Sequence, residues 1–102
     1  MKRVMLVCNG GMSTSIMAKQ IRDASEDRYD VVAYPEGVFQ AHLDDDIKVI
    51  LIAPQIRFMK DEIQKAAGPD RVVEVIDMQT YGLMKGKRVL KMIDKIYSEH
   101  GF

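Results

Sequence analysis

Short runs of aliphatic and β-branched residues alternate along this chain with longer stretches in which apolar residues recur every three to four positions. The run Val4-Met5-Leu6-Val7 predicts a buried strand over residues 2–7. Residues 13–25 read as a helix, with Ile16, Met17, Gln20, Ile21 and Ala24 near one face. Residues 29–34 form a short strand ended by Pro35. Residues 36–43 have no clear period and suit one or two helical turns at most. Asp44-Asp45-Asp46 then leads into the most apolar run, a third strand over 47–53, closed by Pro54-Gln55. Ile56, Met59, Ile63 and Ala67 mark a helix over 56–67, and Gly68-Pro69-Asp70 stops it. A fourth strand covers 72–76. Tyr81-Gly82 leads to a last helix over 83–99, with Leu83, Met84, Val89, Leu90, Met92, Ile93 and Ile96 as its apolar stripe.

Strands that alternate with helices imply parallel βαβ units, with helices on both faces of one sheet. Right-handed crossovers leave few topologies. In such open α/β sheets, ligands bind beyond the carboxyl ends of the strands. Three segments follow strand ends and would converge there: 8–15, 53–56 and 77–81. No internal repeat or linker interrupts the pattern, so the 102 residues suit one domain.

Fifteen basic side chains balance fifteen acidic ones, which leaves no net field to hold nucleic acid or an acidic membrane. Met1-Lys2-Arg3 is basic, but the apolar run behind it is too short for a signal peptide. No stretch approaches the roughly 20 apolar residues that span a bilayer. Cys8 is the only cysteine and can form no internal disulfide, so a reducing cytoplasm is the expected compartment.

The chemistry concentrates where the first strand gives way to the first helix, at Cys8-Asn9-Gly10-Gly11-Met12-Ser13-Thr14-Ser15. Two glycines permit a tight turn with φ > 0. The hydroxyl residues suit a helix N-terminus. Such a turn aims several backbone N–H groups at one point, where the helix adds positive potential. A thiol beside that point suits an attack on phosphorus. On the residues alone, three classes stay open: a phosphoryl carrier on sulfur, a cysteine-dependent phosphatase or arsenate reductase, and a non-catalytic anion-binding module.

The same eight residues match in full the Cys-x-x-Gly-Met-Ser-Thr-Ser pattern of a known phosphorylation loop. In this the chain resembles the enzyme IIB components of the lactose/cellobiose (diacetylchitobiose) family of the bacterial phosphoenolpyruvate-dependent sugar phosphotransferase system. The resemblance runs over essentially all of residues 1–102, as a single type-3 IIB domain. Ala53-Pro54-Gln55-Ile56 resembles the family's Gly-Pro-Gln segment, with Ala53 in place of its glycine. Val75-Ile76-Asp77 and Tyr81-Gly82 resemble its segment at the fourth strand end. The resemblance implies a four-stranded parallel sheet of order 2-1-3-4, similar to low-molecular-weight tyrosine phosphatases. It further implies a phosphohistidine–sugar phosphotransferase component. Cys8 would take a phosphoryl group from the phosphohistidine of enzyme IIA. It would pass that group to a sugar, by family default a β-disaccharide such as cellobiose or diacetylchitobiose, bound by the membrane component enzyme IIC. Asn9, Gly10, Gly11, Met12, Ser13, Thr14 and Ser15 would form the phosphoryl-binding loop. Gln55, Asp77 and Tyr81 would support it, Tyr81 alternatively capping the sheet edge with its hydroxyl in water. No metal or other cofactor, nucleic acid or membrane insertion is implied.

Phosphatases and arsenate reductases of the Cys-x5-Arg kind need an arginine six residues after the cysteine to clamp the oxyanion. That position is Thr14, and no arginine occurs between Cys8 and Arg22. Hydrolysis also needs a general acid or base, and Asp77 is the one carboxylate expected near the site. His42 and His100 fall outside the converging segments, and no His, Cys, Asp or Glu pair has metal-ligand spacing. Asp44-Asp45-Asp46 reads as a solvated turn, and the lysines and arginine of the last helix as a solvated face.

Overall fold

The computed structural model describes residues 2–10 and 13–102. Its elements run β1 (Lys2–Cys8), α1 (Ser13–Ala24), β2 (Tyr29–Pro35), β3 (Ile47–Ile52), α2 (Lys60–Ala67), β4 (Val72–Val75), α3 (Met78–Gly82) and α4 (Gly86–His100). All strand pairs are parallel, and the sheet order is β2-β1-β3-β4. Period-2 alternation sends the two faces of each central strand into separate cores. Val4, Leu6 and Cys8 of β1 and Val49 and Leu51 of β3 meet α1 and α4. Met5 and Val7, with Ile50 and Ile52, meet Ile63 and Ala67 of α2 on the other side. Each such fully buried aliphatic side chain stabilises the fold by about 1.5–3 kcal/mol. The expected topology, with helices on both faces, is therefore found.

Three local expectations change. The segment from Pro54 to Met59 is a 3-10 turn with a kink at Ile56, and regular α-helix begins only at Lys60. Pro54 is compatible with the first turn, where its missing N–H has no helical partner to lose, and the helix is interrupted instead at Ile56, whose φ of −117° and ψ of 27° are non-helical. The last helix begins at Gly86 instead of Leu83. A separate single turn, α3, precedes it, and Met84 takes a left-handed φ of 51° that breaks the run. Leu83 is consequently 59% exposed. On α1 the buried positions are Thr14, Met17, Ala18 and Ile21, the i, i+3, i+4, i+7 set. Ile16 faces outward at 50% exposure, and the hydroxyl residue Thr14 occupies the inner face.

The α1–α4 contact is tight enough to require glycine at the start of α4. A Cβ on Gly86 would lie 2.6 Å from Gln20 Cβ, an atom fixed by the α1 backbone. In an open helix a Gly→Ala change gains about 1 kcal/mol. Here Gly86→Ala should instead destabilise by about 1–3 kcal/mol through overpacking. A urea unfolding curve checks the sign, and a midpoint at or above that of the unchanged protein would contradict the contact.

Candidate functional site

β1 ends at Cys8 because both neighbouring strands continue its ladder to that point. The Cys8 carbonyl accepts from Glu36 N at 2.7 Å on the β2 side, and the Val7 carbonyl accepts from Ala53 N at 2.9 Å on the β3 side. Beyond these rungs the chain turns through Asn9 and Gly10. Gly10 adopts φ +108°, a conformation that a Cβ would disfavour. Its N–H donates to Cys8 Sγ at 3.3 Å. The loop residues Gly11 and Met12 lie outside the described residues. The chain resumes at Ser13 as the first residue of α1, whose N-terminal end favours negative charge.

Cys8 is 5% exposed and opens into a cleft of about 210 Å³. Gly10, Thr14 and Ser15 line it from the loop and α1, and Ala33, Tyr34 and Pro35 from the end of β2. The β2 residues were not among the three converging segments read from sequence. The strand order could have pointed to them: β2 is the direct neighbour of β1, and Pro35 stands in register with Cys8. Tyr34 in turn stacks on His42, with ring centroids 4.0 Å apart. Among the described residues, no lysine, arginine, aspartate or glutamate lines the cleft.

Thr14 is only 2% exposed, and a buried hydroxyl needs a partner. Tyr81 supplies it. The Tyr81 hydroxyl lies 2.8 Å from Thr14 Oγ1 and 2.8 Å from Ser13 Oγ. Tyr81 itself is 5% exposed, so its hydroxyl is bound to the start of α1 and not left in water. Asp77 does not reach the loop directly. Its carboxylate caps α3, accepting from Thr80 N at 2.8 Å and from Thr80 Oγ1 at 2.7 Å. It thereby fixes the turn that carries Tyr81. Gln55 is exposed in the turn after β3 and does not line the cleft. The sheet edge thus brings Cys8, Gly10, Thr14 and Ser15 to the cleft and Tyr81 behind Thr14, with Asp77 one turn further back.

The family model for the phosphotransferase-system lactose/cellobiose-specific IIB subunit matches residues 3–92. The chain belongs to this family. As a IIB component, it is a sugar phosphotransferase component of that system. It is 36% identical over 92 residues to the oligo-beta-mannoside-specific EIIB component of Bacillus subtilis, covering 86% of this chain and 88% of that one. It is 33% identical over 103 residues to the cellobiose-specific EIIB component of Lactococcus lactis subsp. lactis, covering 93% and 95%. The fold matches the lactose-specific IIB domain of Streptococcus pneumoniae with a TM-score of 0.77 at 20% identity, over 94% of this chain and 97% of that one.

In this IIB domain the Thr80 hydrogen bonds, backbone first and side chain second, hold the Asp77 carboxyl below its ordinary value of 3.8. A lowered folded-state pKa means that the capping contribution is present above the unfolded value and is lost as pH falls through the folded one. Asp77→Ala should therefore lower the melting temperature at pH 7. The difference from the unchanged protein should shrink below pH 3.8. Thermal melts by circular dichroism from pH 7 to pH 2.5 check both the drop and its disappearance; a pH-independent difference would contradict the cap.

Proposed function

We propose that this IIB component carries its phosphoryl group on Cys8. The sulfur attacks the phosphorus of a phosphohistidine on enzyme IIA in line with the P–N bond. The S–P bond forms as the P–N bond breaks, and the departing imidazole takes up a proton. A sugar hydroxyl then attacks phosphorus; the P–O bond forms as the S–P bond breaks, the sulfur of Cys8 leaves, and the hydroxyl proton is released to solvent. The acceptor sugar is held by the membrane component enzyme IIC, and the exchange takes place in the cytoplasm. Backbone N–H groups over residues 9–15, the α1 N-terminus and the loop hydroxyls offset the charge on the phosphoryl oxygens. Among the described residues, no helix is long and apolar enough to cross a membrane.

The observation that supports a carrier most is the composition of the cleft wall. A phosphocysteine is hydrolysed efficiently when a cation clamps its oxyanion and a carboxylate activates water. The wall offers hydroxyls and backbone in place of both. The position that carries the clamping arginine in the cysteine phosphatases is the buried Thr14. A phosphoryl group held this way is stabilised but not driven onto water. The two curated relatives, of nearly equal identity, are named for different sugars. Within the family, a β-disaccharide such as cellobiose or diacetylchitobiose is the proposed acceptor.

Incubation with phosphoenolpyruvate, enzyme I, the histidine carrier protein and a cellobiose-type enzyme IIA, followed by mass spectrometry, tests this directly. One phosphoryl group on Cys8 is expected, and none on Cys8→Ser. Release of phosphate from p-nitrophenyl phosphate, with Cys8 unlabelled under the relay, would indicate a phosphatase instead.

A further inference from the structure

The hydroxyl cluster behind the cleft has a proton count that constrains its direction. Ser13, Thr14 and Tyr81 each carry one hydroxyl proton and can accept through oxygen lone pairs. Two oxygen–oxygen contacts of 2.8 Å meet at the Tyr81 hydroxyl, and each needs a proton. Tyr81 can supply at most one of them. Were Ser13 and Thr14 both to donate, the buried Tyr81 proton would have no acceptor among the described residues. That arrangement leaves an unpaired buried donor, which proteins avoid. In the two remaining arrangements Tyr81 accepts from one hydroxyl and donates to the other. The hydroxyl that receives the Tyr81 proton keeps its own proton free. Thr14 lines the Cys8 cleft and Ser13 does not, so a free proton on Thr14 faces the place where phosphoryl oxygens would lie.

We propose that Tyr81 is a positioning residue: its hydroxyl accepts from Ser13 and donates to Thr14, so that Thr14 presents its single proton to a phosphoryl oxygen on Cys8. This rests on the carrier reading of Cys8. The chain of donors runs from Ser13 to Tyr81 to Thr14 to the phosphoryl group, and each link polarises the next. It places a neutral, aligned donor at the position where cysteine phosphatases hold a cation. Asp77 supports it from behind, by fixing α3 and with it the Tyr81 ring.

The test compares full-length variants in the same relay, reading the equilibrium ratio of phosphocysteine on this chain to phosphohistidine on enzyme IIA by intact mass. Thr14→Val removes a donor to a charged group and should lower the ratio by about tenfold or more. Tyr81→Phe leaves the Thr14 hydroxyl in place but unaligned and should lower it about three- to tenfold. Ser13→Ala, one link further away, should lower it less than Tyr81→Phe. The double variant Tyr81→Phe/Thr14→Val should be no worse than Thr14→Val alone, because both remove one pathway. Thr14→Ser, which keeps the hydroxyl, should recover most of the ratio lost in Thr14→Val. A Tyr81→Phe ratio within twofold of the unchanged protein would overturn the proposal. So would multiplicative losses in the double variant, or a Ser13→Ala loss larger than that of Thr14→Val. Should Tyr81→Phe fail to fold, as judged by its thermal melt, the Ser13 and Thr14 variants still decide the direction. If the unchanged protein takes no phosphoryl group on Cys8, the carrier reading fails first, and that outcome is distinct from a flat response among the variants.

Discussion

The site depends on the place where the central strand stops. Cys8 is the last residue of β1, and hydrogen bonds from Glu36 and Ala53 hold the end of that strand on both sides. The sulfur therefore sits at a fixed point of the sheet edge, buried to 5% exposure beneath the loop that follows. A reactive sulfur on a loose loop would lose much of the benefit of orientation, since an ångström of misplacement matters in phosphoryl transfer. Here the aliphatic cores on both faces of β1 stabilise the residue proposed to carry the phosphoryl group. Gly10 then turns the chain back so that its own N–H meets Cys8 Sγ. The same geometry brings the start of α1 over the cleft.

On the proposed carrier role, what surrounds the sulfur decides between holding a phosphoryl group and cleaving it. The strand–loop–helix arrangement is shared in outline by carriers and by cysteine phosphatases. The distinction lies in the wall: hydroxyls and backbone face Cys8, and the described lining holds no charged side chain. Thr14 is central to this because it is both a cleft residue and a core residue. Its burial on the inner face of α1 is tolerable only because Tyr81 satisfies its hydroxyl. Packing and site chemistry thus meet in one side chain.

Much of this was legible in the sequence, and the exceptions have physical reasons. The strands stood out because their apolar runs are short and β-branched, and the order of elements limited the topology. At the described ends of the loop, Gly10 takes a positive φ and Ser13 begins α1, as the local preferences of glycine and hydroxyl residues predict. The break between α3 and α4 was not, since Leu83 and Met84 continue the apolar period across a turn that only the backbone conformation of Met84 reveals. Ile16 looked like a core residue and Thr14 like a cap because periodicity ranks apolar residues first. A hydroxyl whose partner lies 67 residues away leaves no local signal. The β2 wall was missed because a segment entering the site beside a strand end, and not after it, carries no motif.

The central claim is that Cys8 keeps a phosphoryl group out of the reach of water until a sugar arrives. Its most direct test is the lifetime of the isolated phosphorylated protein in neutral buffer, freed of donor and acceptor and followed by intact mass. The phosphoryl group should persist far longer than a single transfer from enzyme IIA takes. Release of inorganic phosphate as fast as Cys8 is loaded would contradict the account and make the protein a hydrolase.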